Sequence, residues 1–300
     1  TNIKGLNNIQ KYCKTNNIDD IDDNNLEFLE KKYHYNNGEK CLYDFDDYNF
    51  RISQQIETLY NNTNEKVKDM LIQWPTTKKI FRFMKRFVFK NKKFPFLLHL
   101  SIVKMSNNNS DERSFINIKD GDIFNSNEIY EIEIEFINSQ IKVSKKKDYG
   151  DIILLLKQTI KYVLIGLQET NYPIGLSESN NVIEEYLTLI KKNISSGLNY
   201  SPRDFIGPSS LTLQKINCIE LNNLYSVANI RKNYTVTDKA DGLRKLLFIN
   251  NIGNIYLLNT NLHVQFTGYK NNKKELNNTI IDGEHILHDK NMNYINLFMS

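Results

Sequence analysis

This 300-residue sequence contains little cysteine. It also lacks a long apolar run and a strong excess of one charge. Its three cysteines, Cys13, Cys41 and Cys218, are far apart and odd in number, so they predict neither a disulfide framework nor a metal motif. No apolar run approaches the length that crosses a membrane, and the N-terminal residues lack a signal-peptide pattern. We therefore expect a protein of a reducing compartment that is neither secreted nor membrane-bound.

The charge balance permits contact with nucleic acid but does not require it. Lysine and arginine number 39 against 35 aspartates and glutamates, which gives a net charge of +4. The chain can hold two domains of ordinary size, and the abundance of residues with A/T-rich codons, such as asparagine, lysine and isoleucine, indicates an A/T-rich genome. Because the chain does not begin with methionine and stops within an apolar segment, we expect a piece of a longer protein.

The stretch around which the chemistry is organised is Lys239-Ala-Asp-Gly-Leu-Arg244, with apolar residues on both sides. The pattern predicts two strands joined by a tight turn at Gly242, which would hold the lysine on a rigid hairpin. A lysine so placed can attack the α-phosphate of a nucleotide and form a covalent adduct. It does so at neutral pH only where burial, a metal or a cationic neighbour such as Arg244 favours the free amine. The alternative is an ordinary hairpin turn with a solvated lysine.

A second fragment, Ile280-Ile-Asp-Gly-Glu-His-Ile286, predicts an apolar strand that enters an Asp-Gly turn, with Glu284 after the glycine. A carboxylate there could bind a ribose or a catalytic metal. Together the two fragments resemble motifs I and III of the covalent nucleotidyltransferase superfamily, which comprises the mRNA guanylyltransferases and the ATP- and NAD-dependent ligases. The resemblance implies a nucleotide-binding site at Lys239, Asp241, Gly242, Arg244 and Glu284.

The resemblance also implies a role for each of these side chains. Lys239 would be the catalytic nucleophile, and Arg244 would contact the ribose or a phosphate. Glu284 would contact the ribose or a metal, whereas Asp241 would orient the hairpin or the lysine. His285 is expected to be structural.

The first half of the chain predicts two helical segments and then strands. Helical spacing is seen at residues 6–13 and 26–33, and the alternation typical of strands is seen at residues 49–53, 80–89 and 97–104. Basic residues on these strands suit the charged lumen of a closed barrel, in which they could hold a polyphosphate. They are Arg51, Arg82, Arg86 and Lys104.

A further strand, predicted at residues 129–137, carries Glu131, Glu133 and Glu135 on one face. Like charges about 7 Å apart along a strand repel each other unless cations neutralise them. Because carboxylate oxygens are preferred ligands of hard cations, the three glutamates are candidate ligands of Mg²⁺ or Mn²⁺. The alternative is an exposed acidic face on an edge strand that opposes aggregation.

The predicted strands carry four sequence pieces that resemble the tunnel-type metal-dependent RNA triphosphatases of fungi and of large-DNA-virus capping enzymes. In that family two glutamate-bearing strands of an eight-stranded barrel share the metal, and we expect the first of them upstream of Thr1. Residues 97–99 depart from the family pattern, which has an arginine and an aspartate there. The pieces are Asn49-Phe-Arg-Ile-Ser53, Phe81-Arg-Phe-Met-Lys-Arg86, Leu100-Ser-Ile-Val-Lys104 and Tyr130-Glu-Ile-Glu-Ile-Glu135.

Residues 151–168 and 180–192 predict helices, and residues 193–202 predict a linker. Beyond the linker, Phe205-Ile-Gly-Pro208 and Leu262-His-Val-Gln-Phe-Thr-Gly268 join the two motifs in a resemblance to the guanylyltransferase domain of large-DNA-virus capping enzymes. The predicted fold is therefore α+β: a triphosphatase-like antiparallel barrel at residues 1–198, followed at residues 199–300 by the start of a nucleotidyltransferase domain with antiparallel sheets.

The two resemblances together imply mRNA 5′ capping, in which the γ-phosphate of triphosphate RNA is removed and GMP is then transferred from GTP to the diphosphate end. They imply Mg²⁺ or Mn²⁺, GTP and RNA as ligands, a location in the virus factory or virion of an infected cell, and a methyltransferase domain or subunit of the same parent protein. Two alternatives stay open at this point. One is an ATP-dependent RNA or DNA ligase, and the other is a non-catalytic scaffold with a degenerate barrel.

Overall fold

A computed structural model describes residues 1–106, 114–137, 146–190, 200–207, 212–220, 229–231, 233–235 and 241–300. The chain divides into two compact units, Thr1–Ile160 and Lys161–Ser300. Both contain helices and antiparallel strands, which confirms the predicted α+β class with antiparallel sheets. In the part of the chain that is described, none of the helices combines the length and apolar character needed to cross a membrane.

The first unit begins with a small three-stranded sheet, two hairpins and two helices. The predicted N-terminal helix is confirmed as α1, but the helix predicted at residues 26–33 is wrong. Those residues form strand β2, because antiparallel pairing with β1 and β7 on its two sides overrides a helical spacing of only a few apolar residues. The elements are β1 (Asn2–Ile3), α1 (Leu6–Thr15), β2 (Leu26–Tyr33), β3 (Tyr35–Asn36), β4 (Glu39–Lys40), β5 (Leu42–Phe45), β6 (Phe50–Ser53), β7 (Gln55–Tyr60) and α2 (Glu65–Gln73).

The three longer strands predicted in the first half are confirmed as β8 (Arg82–Lys90), β9 (Phe96–Met105) and β10 (Ile129–Phe136). They form an antiparallel sheet with β9 in the middle. Its register sets Arg86 opposite Ser101, and Ser101 in turn opposite Glu131. Since directly opposed residues share a face, the arginines of β8 and the glutamates of β10 lie on the same side of this sheet.

The predicted closed barrel is not formed by the described residues of the first unit. Their strands belong to separate sheets of three, three, two and two strands, and β8 and β10 are edges. A barrel requires every edge strand to pair with another, so the charged face of the sheet from β8 to β10 is not a closed lumen in this part of the chain. The core of the unit is instead a cluster of buried residues from several elements: Tyr12, Ile18, Ile21, Phe81 and Ile123.

The second unit is built on a five-stranded antiparallel sheet that one helix covers. The helix buries Val182, Ile183, Tyr186 and Leu187, which recur at the spacing of one helical face. Burial of each such large apolar side chain contributes about 1.5–3 kcal/mol of transfer free energy. The elements are α3 (Lys146–Gln168), which crosses into this unit, α4 (Leu176–Ile190), β11 (Leu243–Ile249), β12 (Asn254–Asn259), β13 (Val264–Lys270), β14 (Thr279–His288) and β15 (Tyr294–Met299), with sheet order β13-β12-β11-β14-β15.

The position of α4 decides where the second unit begins. Because its buried face packs against Leu246, Phe248 and Leu258 of the sheet, α4 belongs with the second unit. The compact units divide at residue 160, within α3, whereas the sequence pattern placed the domain boundary at residue 198. Most of the predicted linker lies outside the described residues.

Candidate active site

The centre of the candidate site is an arginine held between two strands. The register of β11 and β14 sets Arg244 opposite Glu284, and Leu246 opposite Asp282. Arg244 donates two hydrogen bonds to the Asp282 carboxylate, from Nε to Oδ1 at 3.0 Å and from Nη2 to Oδ2 at 2.9 Å. This paired geometry fixes the plane of the guanidinium as well as its position.

Two further contacts shape this site. The guanidinium carbon of Arg244 lies 5.7 Å from the centre of the Phe205 ring, which places the aromatic face within cation–π distance. The hydrogen bonds that Arg244 donates to Asp282 raise the pKa of Arg244, so the guanidinium carries its charge throughout the ordinary pH range. Oε2 of Glu284 is buried and finds no hydrogen-bond partner among the described residues. A fixed cation thus stands opposite a carboxylate whose buried Oε2 lacks a hydrogen-bond donor in the described part of the chain.

The nucleophile expected from the sequence, Lys239, lies outside the described residues, as do all of residues 236–240. Asp241 and Gly242 are described, and both are exposed immediately before β11. Gly242 is absent from the glycines with left-handed φ, and because residues 236–240 lie outside the described residues, the predicted hairpin turn stays a prediction. A Cβ at Gly242 would lie 2.7 Å from the backbone oxygen of His285, and glycine is needed there because β14 approaches closely.

The turn predicted at Asp282-Gly283 is wrong. Both residues lie inside the continuous strand β14. The reason for glycine is again space, since a Cβ at Gly283 would come within 2.6 Å of the Phe298 ring on β15. With no turn between them, Asp282 and Glu284 lie two residues apart on the same strand face, and both are within reach of Arg244.

The opposite face of the same two strands carries a buried polar network that the sequence analysis missed. Lys245 Nζ lies 2.6 Å from Oε1 of Gln265 on β13 and 2.8 Å from Nδ1 of His285 on β14. His285 Nε2 lies 2.6 Å from Oδ1 of Asn296 on β15. His285, expected to be structural, is thus buried and bonded on both ring nitrogens. Strand alternation could have shown that Lys245 faces away from Arg244, but not which residues it meets.

This network predicts a loss of stability in acid. Burial is the main cause that lowers the pKa of both His285 and Lys245. A histidine with a lowered pKa in the folded state binds its proton more readily when unfolded. The free energy of unfolding should therefore fall as the pH drops below about 6.5, with a slope of up to about 1.4 kcal/mol per pH unit from this group.

Urea unfolding of the wild type and of His285→Gln at several pH values between 5 and 7.5 measures this effect. The glutamine keeps an acceptor for Lys245 but does not titrate, so the variant should show the shallower dependence. Equal slopes for the two proteins would rule out His285 as the titrating group.

The first unit places its predicted site residues on one charged face. Arg82 Nη2 lies 2.8 Å from both carboxylate oxygens of Glu131, and Arg86 Nη2 lies 2.5 Å from Oε2 of Glu133. Glu135 is approached by the ring of the buried His99, whose Nδ1 is 3.4 Å from Oε2. The arginines and glutamates predicted from the sequence are therefore brought together, but as ion pairs with each other.

Two of the predicted phosphate-binding residues are not part of that face. Lys104 lies opposite Phe83 on the other side of the sheet, and its Nζ donates to the backbone oxygen of Phe124 at 2.9 Å. Arg51 belongs to the β5–β6 hairpin and is paired with Asp44. Within the ranges that the structure describes, no group of three or more His, Cys, Asp or Glu side chains is arranged to hold a metal ion.

Comparison with known proteins finds a similarity within the second unit. Residues 176–298 match the model of the family described as mRNA capping enzyme, catalytic domain. A probable mRNA-capping enzyme of Acanthamoeba polyphaga mimivirus is 36% identical over 157 residues, which make up 52% of this chain and 11% of that protein. No solved structure matches the chain. Residues 176–298 are thus similar to the catalytic domain of mRNA-capping enzymes, and about half of the chain is similar to a small part of a giant-virus protein of that description, in agreement with the resemblance carried by the sequence motifs.

Proposed function

We propose that the protein to which this chain belongs is an mRNA guanylyltransferase that works through a covalent Lys239–GMP adduct. The observation that carries the proposal is the arrangement of Arg244, Asp282 and Glu284, which lies within the residues that match the capping-enzyme catalytic domain. Such a site offers one fixed cation and one buried acceptor, the pair that a nucleotide's phosphate and ribose require.

The proposed reaction has two displacements at the same phosphorus. The free amine of Lys239 attacks the α-phosphate of GTP, a P–N bond forms, and pyrophosphate leaves. A terminal oxygen of diphosphate RNA then attacks that phosphorus, the P–N bond breaks, and the lysine amine is released. Arg244 holds the nucleotide by its ribose or a phosphate, and the buried oxygen of Glu284 accepts a ribose hydroxyl group. The Mg²⁺ or Mn²⁺ that accompanies the triphosphate as part of the substrate neutralises its charge.

The experiment that tests the proposal uses the full parent protein. It is incubated with Mg²⁺ and either α-labelled GTP or α-labelled ATP, denatured, and examined for label that stays with the protein. We expect label from GTP and none from ATP. Label from ATP alone would indicate an ATP-dependent ligase. No label from either nucleotide would indicate a non-catalytic scaffold.

Removal of the γ-phosphate by the first unit stays a prediction. It is supported by the shared face of Arg82, Arg86 and the three glutamates. The carboxylates as they stand are engaged by arginine and histidine side chains, and in the described residues they do not fit a metal site, so we derive no step through a metal there. The methyltransferase partner and the location in a virus factory or virion are likewise predictions.

A further inference from the structure

We propose that Lys245 and His285 are positioning residues for guanylyl transfer. They lie on the face of β11 and β14 opposite to Arg244 and Glu284, and their contact holds the two strands in the register that sets Arg244 opposite Glu284. The inference rests on the proposed function of the second unit. Neither residue faces the side on which Arg244 and Glu284 lie.

The geometry shows a polar chain that runs across the sheet. It leads from Gln265 on β13 to Lys245 on β11, then to His285 on β14 and Asn296 on β15, with contacts of 2.6, 2.8 and 2.6 Å. Four of the five strands therefore contribute a member. At the β13 end the chain continues, because Gln265 Nε2 donates to the backbone oxygen of Gln168 at 3.2 Å.

Because the members of the polar chain are buried, a displacement of one strand against another is costly. The exposed fractions of Lys245, Gln265 and His285 are 3%, 5% and 6%. A buried ammonium group is stable only where acceptors surround it, so any shift of β14 that separates His285 from Lys245 leaves a buried charge short of a partner. The backbone bonds of a sheet resist a slip far less selectively, since they can form again one pair further along.

The hydrogen bonds of the polar chain are donated in one direction, from Lys245 through His285 to Asn296. The Lys245 ammonium donates to Nδ1, so the neutral imidazole carries its proton on Nε2 and donates to the Asn296 oxygen. Asn296 stands at left-handed φ, 50°, where the pairing of β14 with β15 is irregular. Because Phe298 lies opposite His285, Asn296 two residues earlier lies on the same face, and its left-handed φ is a local distortion that asparagine tolerates better than most residues.

The polar chain and the residues that face the nucleotide are both carried by β11 and β14. Lys245 follows Arg244, and His285 follows Glu284, so each strand sends one side chain to each face. Lys245 lies directly opposite Gly283 in the register of the two strands. A slip of one residue would break the Lys245–His285 contact and move Glu284 away from Arg244 at the same time.

The test uses the full parent protein and the double variant Lys245→Met/His285→Leu. Replacing both partners by apolar side chains of similar volume removes the buried charge together with its histidine acceptor, whereas Oε1 of Gln265 and Oδ1 of Asn296 each lose a donor, so circular dichroism first checks that the variant is folded. The rate constant for label formation at saturating GTP should fall about tenfold, within the range that a small misplacement of binding groups produces. His285→Gln, which keeps an acceptor for Lys245, should restore most of the rate that His285→Leu loses.

Wild-type labelling by a folded double variant would overturn the proposal. If the double variant does not fold, the single variants decide, and equal labelling by His285→Leu and His285→Gln would overturn it. If the wild type takes no label from GTP, the proposed function fails, and amide hydrogen exchange then tests the register alone. Faster exchange in β11 and β14 of His285→Leu supports the positioning role without the transfer, and unchanged exchange overturns it.

Discussion

Replacement of Lys239 by arginine is expected to abolish the covalent label that the full protein acquires from α-labelled GTP. Arginine keeps the positive charge and the reach, but its guanidinium does not lose a proton at ordinary pH and cannot attack the phosphate. The loss should exceed about a thousandfold, the scale seen when a covalent nucleophile is removed. The measurement is the initial rate at which label becomes attached to the protein, determined by denaturing electrophoresis.

Two comparisons make that result specific to Lys239. Lys273→Arg changes a lysine on an exposed turn of the same unit and should leave labelling unchanged. The rival nucleophile is Lys245, whose pKa is lowered by burial but which lies on the opposite face from Arg244. Mapping of the labelled peptide in the wild type separates the two lysines, and label on Lys245 would contradict the proposal.

The second large effect is expected at the Arg244–Asp282 pair. Arg244→Lys keeps the charge but loses the two parallel hydrogen bonds to Asp282, and Asp282→Asn keeps the shape of the acceptor but loses its charge. Either variant should lower the second-order rate constant for labelling by roughly a hundredfold, because the guanidinium is no longer held where it meets the nucleotide.

The control for that pair is Arg231→Lys, at an ion pair with Glu220 in which both side chains are more than half exposed. Exposed pairs contribute little, so neither labelling nor stability should change measurably. The double variant Arg244→Lys/Asp282→Asn should lose little more than the worse single variant, because the two residues form one unit. Additive losses would show that they act separately.

Period-two alternation predicted the longer strands of the first unit but not β2, whose residues have helical spacing. Arg82 and Arg86 alternate with phenylalanines, and Glu131 to Glu135 alternate with isoleucines, so both segments could be assigned to strands and to faces from the sequence. The continuous apolar run after Arg244 predicted β11. The motif residues Arg244 and Glu284 could also be singled out, although their direct opposition is visible only in the register.

What could not be predicted depends on residues that are distant in the sequence. The glycine at 283 suggested a turn because nothing local shows that Phe298 packs against it. The contact of Lys245 with His285 could not be predicted either, because the two residues are forty positions apart in the sequence. The partner of Arg82 was equally hidden, since a strand pattern shows which side chains share a face but not which strand lies next to it.

The two-faced use of β11 and β14 has a consequence for how this gene can vary. Neighbouring codons in these segments encode side chains with unrelated tasks, so substitution at one need not disturb the other. Insertion or deletion of a single codon before Arg244 is different, because every later side chain of the strand would exchange faces. A deletion brings Lys245 to the place of Arg244, and an insertion brings Arg244 to the place of Lys245. Length between Gly242 and Ile249 should therefore be preserved among active relatives even where the residues themselves are not.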